Sequence, residues 1–170
     1  MPGLILPYRG VLPKIDESAF VAQTAVIAGN VEIGPEAGIW FGCVIRGDVN
    51  EIRIGARTNI QDGTIIHCTR DKWGCHIGGN ITVGHGAILH ACTLEDDCFI
   101  GMGAIVMDNA RVESGAMVAA GALVAPGKVV RKGELWAGNP ARPMRPLTER
   151  ELAFFPVSAQ HYVNLARDYK

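Results

Sequence analysis

The sequence has few aromatic residues, no excess of charge of either sign and no long apolar run. Aromatic residues make up 6% of the 170 residues, which argues against a sandwich core built on large rings. The 16 basic residues are balanced by 17 acidic ones, so nothing indicates binding to nucleic acid or to an anionic membrane. No apolar run approaches the roughly 20 residues of a membrane-spanning helix. The first ten residues carry two prolines and no charged leader region, so we expect no signal peptide.

Cysteine is also used sparingly and without a pairing pattern. The cysteines lie at positions 43, 68, 75, 92 and 98, an odd number with no Cys-x-x-Cys pair. This usage is typical of a reducing compartment, and we therefore expect a cytoplasmic protein. Cys68 and Cys75 bracket one loop and could pair with each other, but bracketing alone is weak support, so free thiols are the favoured interpretation.

Aliphatic residues recur at every sixth position over about 120 residues, among 21 glycines. A period of six fits neither a helix, with 3.6 residues per turn, nor a simply alternating strand. It is typical of a triangular prism whose coils have three sides of six residues, with the aliphatic side chains inside. The period shifts between Ile45 and Ile54, is lengthened by five residues between Ile66 and Ile77, and slips by one residue after Leu89. The residues of the repeat are Val21, Ile27, Ile33, Ile39, Ile45, Ile54, Ile60, Ile66, Ile77, Val83, Leu89, Leu94, Ile100, Val106, Val112, Val118, Val124 and Val130.

The repeat predicts an all-β solenoid, a parallel β-helix of roughly seven coils, over residues 1–134. The period does not determine the hand of the coil. Residues 135–170 are expected to belong to the same structural unit, as a proline-rich connector followed by a helix packed along the prism. Residues 1–12 are expected to cover the other end, because a solenoid needs capped ends.

The connector and the helix are predicted from local signals. The stretch from Leu135 to Pro146 contains three prolines and is therefore expected to be irregular. Thr148 and Glu151 have the spacing of a capping box, and apolar residues then follow at intervals of three and four. Pro156 is expected to break or kink this helix.

Four of the five histidines lie between Ile60 and His90, and three of them, His67, His85 and His90, lie outside the loop that ends at His76. His67 and His90 are 23 residues apart, which equals one coil of 18 plus five residues inserted by the loop from Cys68 to His76. They should therefore stack on neighbouring strands, about 4.8 Å apart, where two imidazoles can share a metal. His85 occupies a different position of its repeat, so we infer that it reaches such a metal only from a second subunit.

Four stretches of the chain resemble the gamma-class carbonic anhydrases and their bacterial relatives. These stretches are G-C-V-I-R-G-D-V-N-E-I-R-I-G-A-R-T-N-I-Q-D (42–62), V-G-H-G-A-I-L-H-A-C (83–92), I-G-M-G-A-I-V (100–106) and L-W-A-G-N-P-A-R (135–142). The resemblance covers nearly the whole chain. It implies a left-handed parallel β-helix and a homotrimer with three interfacial metal sites. In each site, His67 and His90 would come from one subunit and His85 from its neighbour.

The resemblance also implies a chemistry. Three neutral imidazoles hold Zn²⁺, with Fe²⁺ or Co²⁺ as alternatives, and leave a fourth position for water. The metal lowers the pKa of that water to about 7, and the resulting metal-bound hydroxide attacks CO₂ to give bicarbonate.

Further residues match family positions at the site. Gln61 would orient the metal-bound water, with an ordinary corner residue as the alternative. Asp62 would hold an arginine or a ligand, or would only pair with Arg46 across the subunit interface. Arg46 and Asp48 match an interface ion pair, with a purely architectural role as the alternative.

Other residues are assigned less directly. Asn59 is a plausible polar neighbour of the site. Tyr162 and Asn164 on the terminal helix match family residues near the metal, although packing of the helix also explains Tyr162. His76 and His161 are expected to face solvent.

The chain departs from the most active family archetype in its acidic groups. Val49 follows the Arg-Gly-Asp run where the archetype has a glutamate, and the short loop from Cys68 to His76 has Asp71 as its one acidic residue. We therefore predict weak, redox-sensitive or undetectable CO₂ hydration. Two other function classes stay open: a hexapeptide-repeat acyltransferase with an interfacial histidine as base, and a non-catalytic metal-binding scaffold or accessory trimer.

Overall fold

The computed structural model describes residues 3–169 and contains 20 strands, most of them short, and one helix. The strands of the first half are β1 (Leu4–Leu6), β2 (Lys14–Ile15), β3 (Phe20–Val21), β4 (Val26–Ile33), β5 (Gly38–Ile39), β6 (Val44–Ile54), β7 (Asn59–Ile60), β8 (Ile65–His67), β9 (Cys75–Ile77) and β10 (Thr82–Val83). The second half contains β11 (Ile88–His90), β12 (Thr93–Leu94), β13 (Phe99–Ile100), β14 (Ile105–Val106), β15 (Arg111–Val112), β16 (Met117–Val118), β17 (Leu123–Val124), β18 (Val129–Val130), β19 (Glu134–Gly138), β20 (Ala141–Pro146) and α1 (Glu149–Asp168).

The strands form the three faces of a prism. The first face stacks β3, β5, β7, β10, β13, β16 and β19 in parallel, one strand per coil, so the prism has seven coils. The second face contains β1, β8, β11, β14 and β17, and the third contains β2, β9, β12, β15 and β18. The long strands β4 and β6 turn a corner and belong to both of these faces. The predicted parallel β-helix with a terminal helix is confirmed.

The aliphatic residues of the six-residue repeat fill the interior. In the second face, Ile45, Ile66, Leu89 and Val106 stack directly on one another and are fully buried. Burial of each such side chain contributes about 1.5–3 kcal/mol relative to exposure. The glycine that often follows them lies against the next coil: a Cβ added at Gly101 would lie 2.3 Å from a backbone nitrogen of that coil. Close stacking of the coils therefore requires glycine there.

Two insertions interrupt the regular coil next to the second face. Strand β4 pairs with β6 through Gly29 and Gly47 and then through Val31 and Ile52, so the intervening residues of β6 bulge outward. The loop after His67 is closed by a bridge between Thr69 and Trp73. Both insertions lie at the edge where β8 and β11 end, and they surround that edge with polar side chains.

The prediction of an irregular connector from Leu135 to Pro146 is wrong. Strand β19 adds the seventh strand to the first face, and β20 pairs with it in antiparallel orientation. Pro140 lies in the turn between them, while Pro143 and Pro146 lie on β20. That strand is the edge of its sheet, where a missing N–H need not break a ladder hydrogen bond.

The helix begins as predicted but is not broken by proline. Thr148 and Glu151 form a reciprocal capping box, and α1 continues through Pro156 to Asp168. Pro156 lies on the exposed side, so the carbonyl of Leu152, which loses its helical partner, can be hydrated. The opposite side of the helix, including Ser158 and Val163, is buried against the first face.

All five cysteines are free thiols and buried. Burial raises the pKa of Cys43 and of Cys68 to about 11. The sulfurs of Cys75 and Cys92 are 3.9 Å apart. No disulfide joins Cys68 to Cys75, which confirms the interpretation as free thiols. No helix within residues 3–169 has the length and apolar character needed to cross a membrane.

At the N-terminal end, β1 adds a strand beside β4. Residues 1 and 2 lie outside the described residues.

Candidate metal centre

The predicted site residues form two clusters at opposite edges of the second face. His85 lies in the corner before β11, and His90 ends that strand. His67 ends β8, directly beside His90. We refer to these as the His85 edge and the His67–His90 edge. Because the strands of this face run from one edge to the other, a single chain holds its three histidines as two separate groups.

At the His67–His90 edge, the two imidazoles face each other. The residues are in register on paired strands, as the spacing predicted, and His67 Nδ1 lies 3.3 Å from His90 Nε2. A tetrahedral Zn²⁺ with Zn–N bonds of about 2.0–2.1 Å separates two ligand nitrogens by about 3.3 Å. The pair therefore has the separation that two ligands of one zinc ion require.

A carboxylate holds the far side of each ring. Asp48 Oδ1 lies 3.0 Å from His67 Nε2, and Asp108 Oδ1 lies 2.6 Å from His90 Nδ1. An ionised carboxylate only accepts hydrogen bonds, so these nitrogens carry the protons. The nitrogens that face each other then present two lone pairs, which only a cation or a shared proton can satisfy. This arrangement is the carboxylate–histidine pairing found at metal sites.

Arg46 and Asp48 lie on the bulged part of β6, next to His67. The Arg46 guanidinium donates to Asp48 Oδ2 while His67 occupies Oδ1. Burial alone would raise the pKa of Asp48, but the hydrogen bonds from His67 and Arg46 outweigh it and hold the pKa below its usual range. Within one chain, the predicted ion pair therefore serves to fix the carboxylate that orients His67.

Asp108 is a site residue that the sequence reading missed. It follows β14, and its carboxylate receives hydrogen bonds from His90 and from the Thr69 hydroxyl. Burial would raise its pKa, but these two hydrogen bonds outweigh it and lower the pKa. Asp108 comes 18 residues after His90, the length of one coil. The counting that paired His67 with His90 would have found it.

The His85 edge contains Asp62, Gln61 and Asn59. His85 Nδ1 lies 2.8 Å from Asp62 Oδ2. Within one chain, the partner of Asp62 is therefore this imidazole and not Arg46. Gln61 and Asn59 are buried in the preceding strand region, and Gln61 Nε2 donates to Asn59 Oδ1 at 3.0 Å. The Nε2 of His85, whose side chain is about half exposed, is left for an external partner.

The orientation of the Gln61 amide follows from its neighbours. Asn59 Nδ2 donates to the Ile81 carbonyl at 3.2 Å and to Thr82 Oγ1 at 3.0 Å. Because a carbonyl only accepts, the Asn59 oxygen must face Gln61. Gln61 therefore uses its NH₂ group on Asn59 and keeps its Oε1 as an acceptor for another group.

Tyr162 is a residue of α1 and lies close enough to this edge to feel the charge of Asp62. Its ring packs against Trp40 with the ring centroids 5.4 Å apart, so helix packing accounts for much of its position. Burial raises its pKa, and the charge of Asp62 raises it further. Asn164 is exposed and accepts a hydrogen bond from Gln160.

The remaining two histidines lie outside both clusters. His76 and His161 are exposed, as predicted, although His76 also lies 3.0 Å from Glu51.

Within residues 3–169 of one chain, no three His, Cys, Asp or Glu side chains converge as metal ligands. His67 and His90 provide two ligands at one edge, and His85 lies at the other. A three-histidine site thus needs a neighbouring chain to bring its His85 edge to the His67–His90 edge.

Comparison with known proteins gives a consistent set of relatives. The chain is 47% identical over 167 residues to a carbonic anhydrase of Geobacillus kaustophilus, covering 98% of this chain and 91% of that protein. It is 48% identical over 160 residues to the mitochondrial gamma carbonic anhydrase 2 of Arabidopsis thaliana, covering 91% of this chain but 58% of that protein. The chain thus spans little more than half the length of the plant relative.

A solved structure shares the whole fold. A hexapeptide transferase family protein of Anaplasma phagocytophilum superimposes with a TM-score of 0.95 at 49% identity, covering 98% of each chain. No family model matches the chain.

The electrostatic link between Asp62 and Tyr162 is directly testable. Asp62→Asn removes a negative charge that raises the pKa of Tyr162, so that pKa should fall and the phenolate should form at lower pH. An NMR titration with ¹³C-labelled tyrosine measures it. Asp97→Asn removes the same charge from an exposed turn and should leave the Tyr162 titration unchanged. An unaltered Tyr162 pKa in Asp62→Asn would show that the helix does not sit against the His85 edge as described.

Proposed function

Because the chain belongs to the gamma carbonic anhydrase family, we propose that it is a zinc-dependent carbonic anhydrase-like enzyme whose metal sites lie between the subunits of a homotrimer. It would catalyse the reversible hydration of CO₂ to bicarbonate. The observation that carries the proposal is the pair of imidazoles at 3.3 Å, each held from behind by a carboxylate. A cation shared by the two imidazoles explains this geometry better than a purely structural role does.

His67, His90 and the neighbouring subunit's copy of His85 would hold the metal in this proposal. A bound Zn²⁺ would supply hydroxide at neutral pH as the nucleophile for CO₂; Fe²⁺ or Co²⁺ are alternatives with similar nitrogen ligands. Asp48 and Asp62 keep His67 and His85 in the tautomers that leave one lone pair free. Gln61 offers an oriented acceptor, its Oε1, to a hydroxyl proton near the His85 edge.

The outer surface of the second face supports a subunit contact. Val44, Ile65, Ile88, Ile105 and Leu123 align in register across five neighbouring strands, and we refer to them as the apolar ladder. Ile65 and Ile88 are 45% and 36% exposed, and each lies two residues before a predicted ligand histidine. An apolar row beside a charged site is the pattern of a buried interface core.

The two edges also favour a closed ring. Contact between the His85 edge of one subunit and the His67–His90 edge of the next is heterologous, because different surfaces meet. Heterologous contacts generate rings when the rotation closes, and a ring of three would contain three equivalent metal sites. The partner in this proposal is another copy of the chain.

A cytoplasmic location stays a prediction, and the plant relative is named as mitochondrial.

An acyltransferase is the second candidate, because the solved structure with the same fold is named a hexapeptide transferase family protein. That chemistry needs one histidine as a base. It gives no reason for two imidazoles with facing lone pairs and a separate carboxylate on each. We therefore rank it below metal-dependent hydration.

The metal ligands are tested by removing each histidine. We expect about one zinc ion per chain in the wild-type trimer and almost none in His67→Ala, His85→Ala or His90→Ala, because a site with two imidazoles binds zinc far more weakly than one with three. Elemental analysis of purified trimers and stopped-flow CO₂ hydration are measured on the same samples. His161→Ala, an exposed histidine on the helix, is the matched control and should keep both.

Zinc retained in full by His85→Ala would contradict an intersubunit site. Stoichiometric acetyl-CoA binding by a zinc-free trimer would favour the acyltransferase. Full zinc with no hydration at any pH would favour the scaffold.

Release of the proton is predicted to limit turnover. The residue after Asp48 is Val49, which is partly buried and packs against the core. This position therefore offers no carboxylate to carry the proton outward. Hydration should therefore be slow in dilute buffer and should rise with added imidazole buffer until the chemical step limits it. Stopped-flow assays across a buffer series at constant ionic strength measure this. Fast turnover that is independent of buffer concentration would refute the prediction.

A further inference from the structure

Asp108 is connected to both the His67–His90 edge and the loop that follows His67. Its Oδ1 lies 2.6 Å from His90 Nδ1, and its Oδ2 accepts a hydrogen bond from the Thr69 hydroxyl. With one partner on each oxygen, the carboxylate cannot rotate without losing a hydrogen bond. The Asp108 side chain is mostly buried, at 24% exposure, so water replaces either partner poorly.

The backbone holds Asp108 in place as well. The amide of Gly127, on the next coil, donates to the Asp108 carbonyl at 2.9 Å. Asn109 then takes up a left-handed conformation with φ 56°, and its amide donates to the Ala91 carbonyl. The turn after β14 is thus bonded to the coil on each side, which fixes the point from which the carboxylate reaches His90.

Thr69 joins the inserted loop to this carboxylate. Its amide donates to the Trp73 carbonyl at 3.0 Å and closes the loop, while its own carbonyl accepts from Asn50 Nδ2 at 3.2 Å. The hydroxyl of Thr69 is left for Asp108. The five inserted residues therefore place a hydrogen-bond donor at the position that orients the carboxylate.

We propose that Asp108 is the positioning residue for the metal ligand His90, and that Thr69 couples the inserted loop to it. The proposal rests on the proposed function, because it requires a metal at His67 and His90. Asp108 fixes the proton on His90 Nδ1 and directs the lone pair of Nε2 toward His67. Without the carboxylate, the ring is free to rotate and to adopt the other tautomer, and the proximity of the two imidazoles is lost.

The test measures zinc affinity in the full-length protein by competition with a chromophoric chelator. Loss of a carboxylate behind a ligand histidine lowers metal affinity about 10- to 100-fold. The zinc affinity of Asp108→Ala should therefore be lower than that of the wild type by a factor within or beyond this range. Asp108→Asn keeps an acceptor oxygen for His90 but loses the charge, so its affinity should fall less. Thr69→Val should have the smallest effect. The absorption bands of the Co²⁺-loaded protein should shift in the same order.

Asp97→Asn is the matched control, since Asp97 lies on an exposed turn with φ 59°, a conformation that asparagine tolerates. It should bind zinc as tightly as the wild type. Thermal unfolding of the zinc-free proteins shows whether Asp108 merely stabilises the fold. Should Asp108→Asn fail to fold, Asp108→Glu takes its place, because the extra methylene displaces the carboxylate while keeping the charge.

The outcomes separate the two proposals. If the wild type binds no zinc, the proposed function fails. If the wild type binds zinc and the Asp108 variants bind it equally tightly, the positioning role is overturned even though the site stands. The positioning role is also overturned if the zinc-free Asp108 variants unfold at lower temperature than the wild type while their zinc affinity is unchanged.

Discussion

The candidate metal site depends on two imidazoles, at one edge of the second face, that present lone pairs to each other. His67 Nδ1 and His90 Nε2 are 3.3 Å apart, and Asp48 and Asp108 prevent either ring from turning its N–H group toward the other. Two facing acceptors repel each other unless something positive lies between them. The fold imposes this contact, because the histidines are fixed in register on neighbouring strands of a stacked prism.

The prism also explains why one chain does not bring its own three histidines, His67, His85 and His90, to one point. Each face is about six residues wide, so the two corners of the second face are separated by the length of a strand. His85 with Asp62 and Gln61 lies at one corner, and the facing imidazoles lie at the other. The apolar ladder lies on the surface between the two edges. In the proposed trimer, the polar ligands at both edges and the apolar strip between them would contact a second copy of the chain.

Much of the fold could be predicted because the six-residue period is regular apart from two insertions and a one-residue slip. The six-residue spacing placed Ile66 on Leu89 and His67 beside His90, and the capping box located the start of the helix. The hairpin of β19 and β20 could not be predicted from its prolines, because their tolerance depends on β20 being an edge strand. Pro156 stays inside a helix because it lies on the exposed side of α1, where the carbonyl of Leu152 can be hydrated, and only the packing of α1 determines which side is exposed.

The site was predicted unevenly. The histidines followed from counting, and the same counting places Asp108 one coil after His90. That its carboxylate reaches the His90 ring required coordinates, because an aspartate can point along or across the corner that carries it. Asp62 was assigned to the site and pairs with His85 within one chain, whereas Asp108 was not assigned at all. The position of Tyr162 depends on the packing of a helix that has no repeat to fix its register. Its contact with Trp40 is therefore a result of the structure alone.

The central claim, one metal shared between two chains, is tested most directly by mixing subunits. Chains with His85→Ala and chains with His90→Ala are co-expressed with different affinity tags, and trimers that carry both tags are purified and analysed for zinc. The account predicts that neither parent trimer binds zinc, whereas each mixed trimer binds about one ion, at the one interface that combines an intact His67–His90 pair with an intact His85. Mixed trimers as empty as both parents would contradict it.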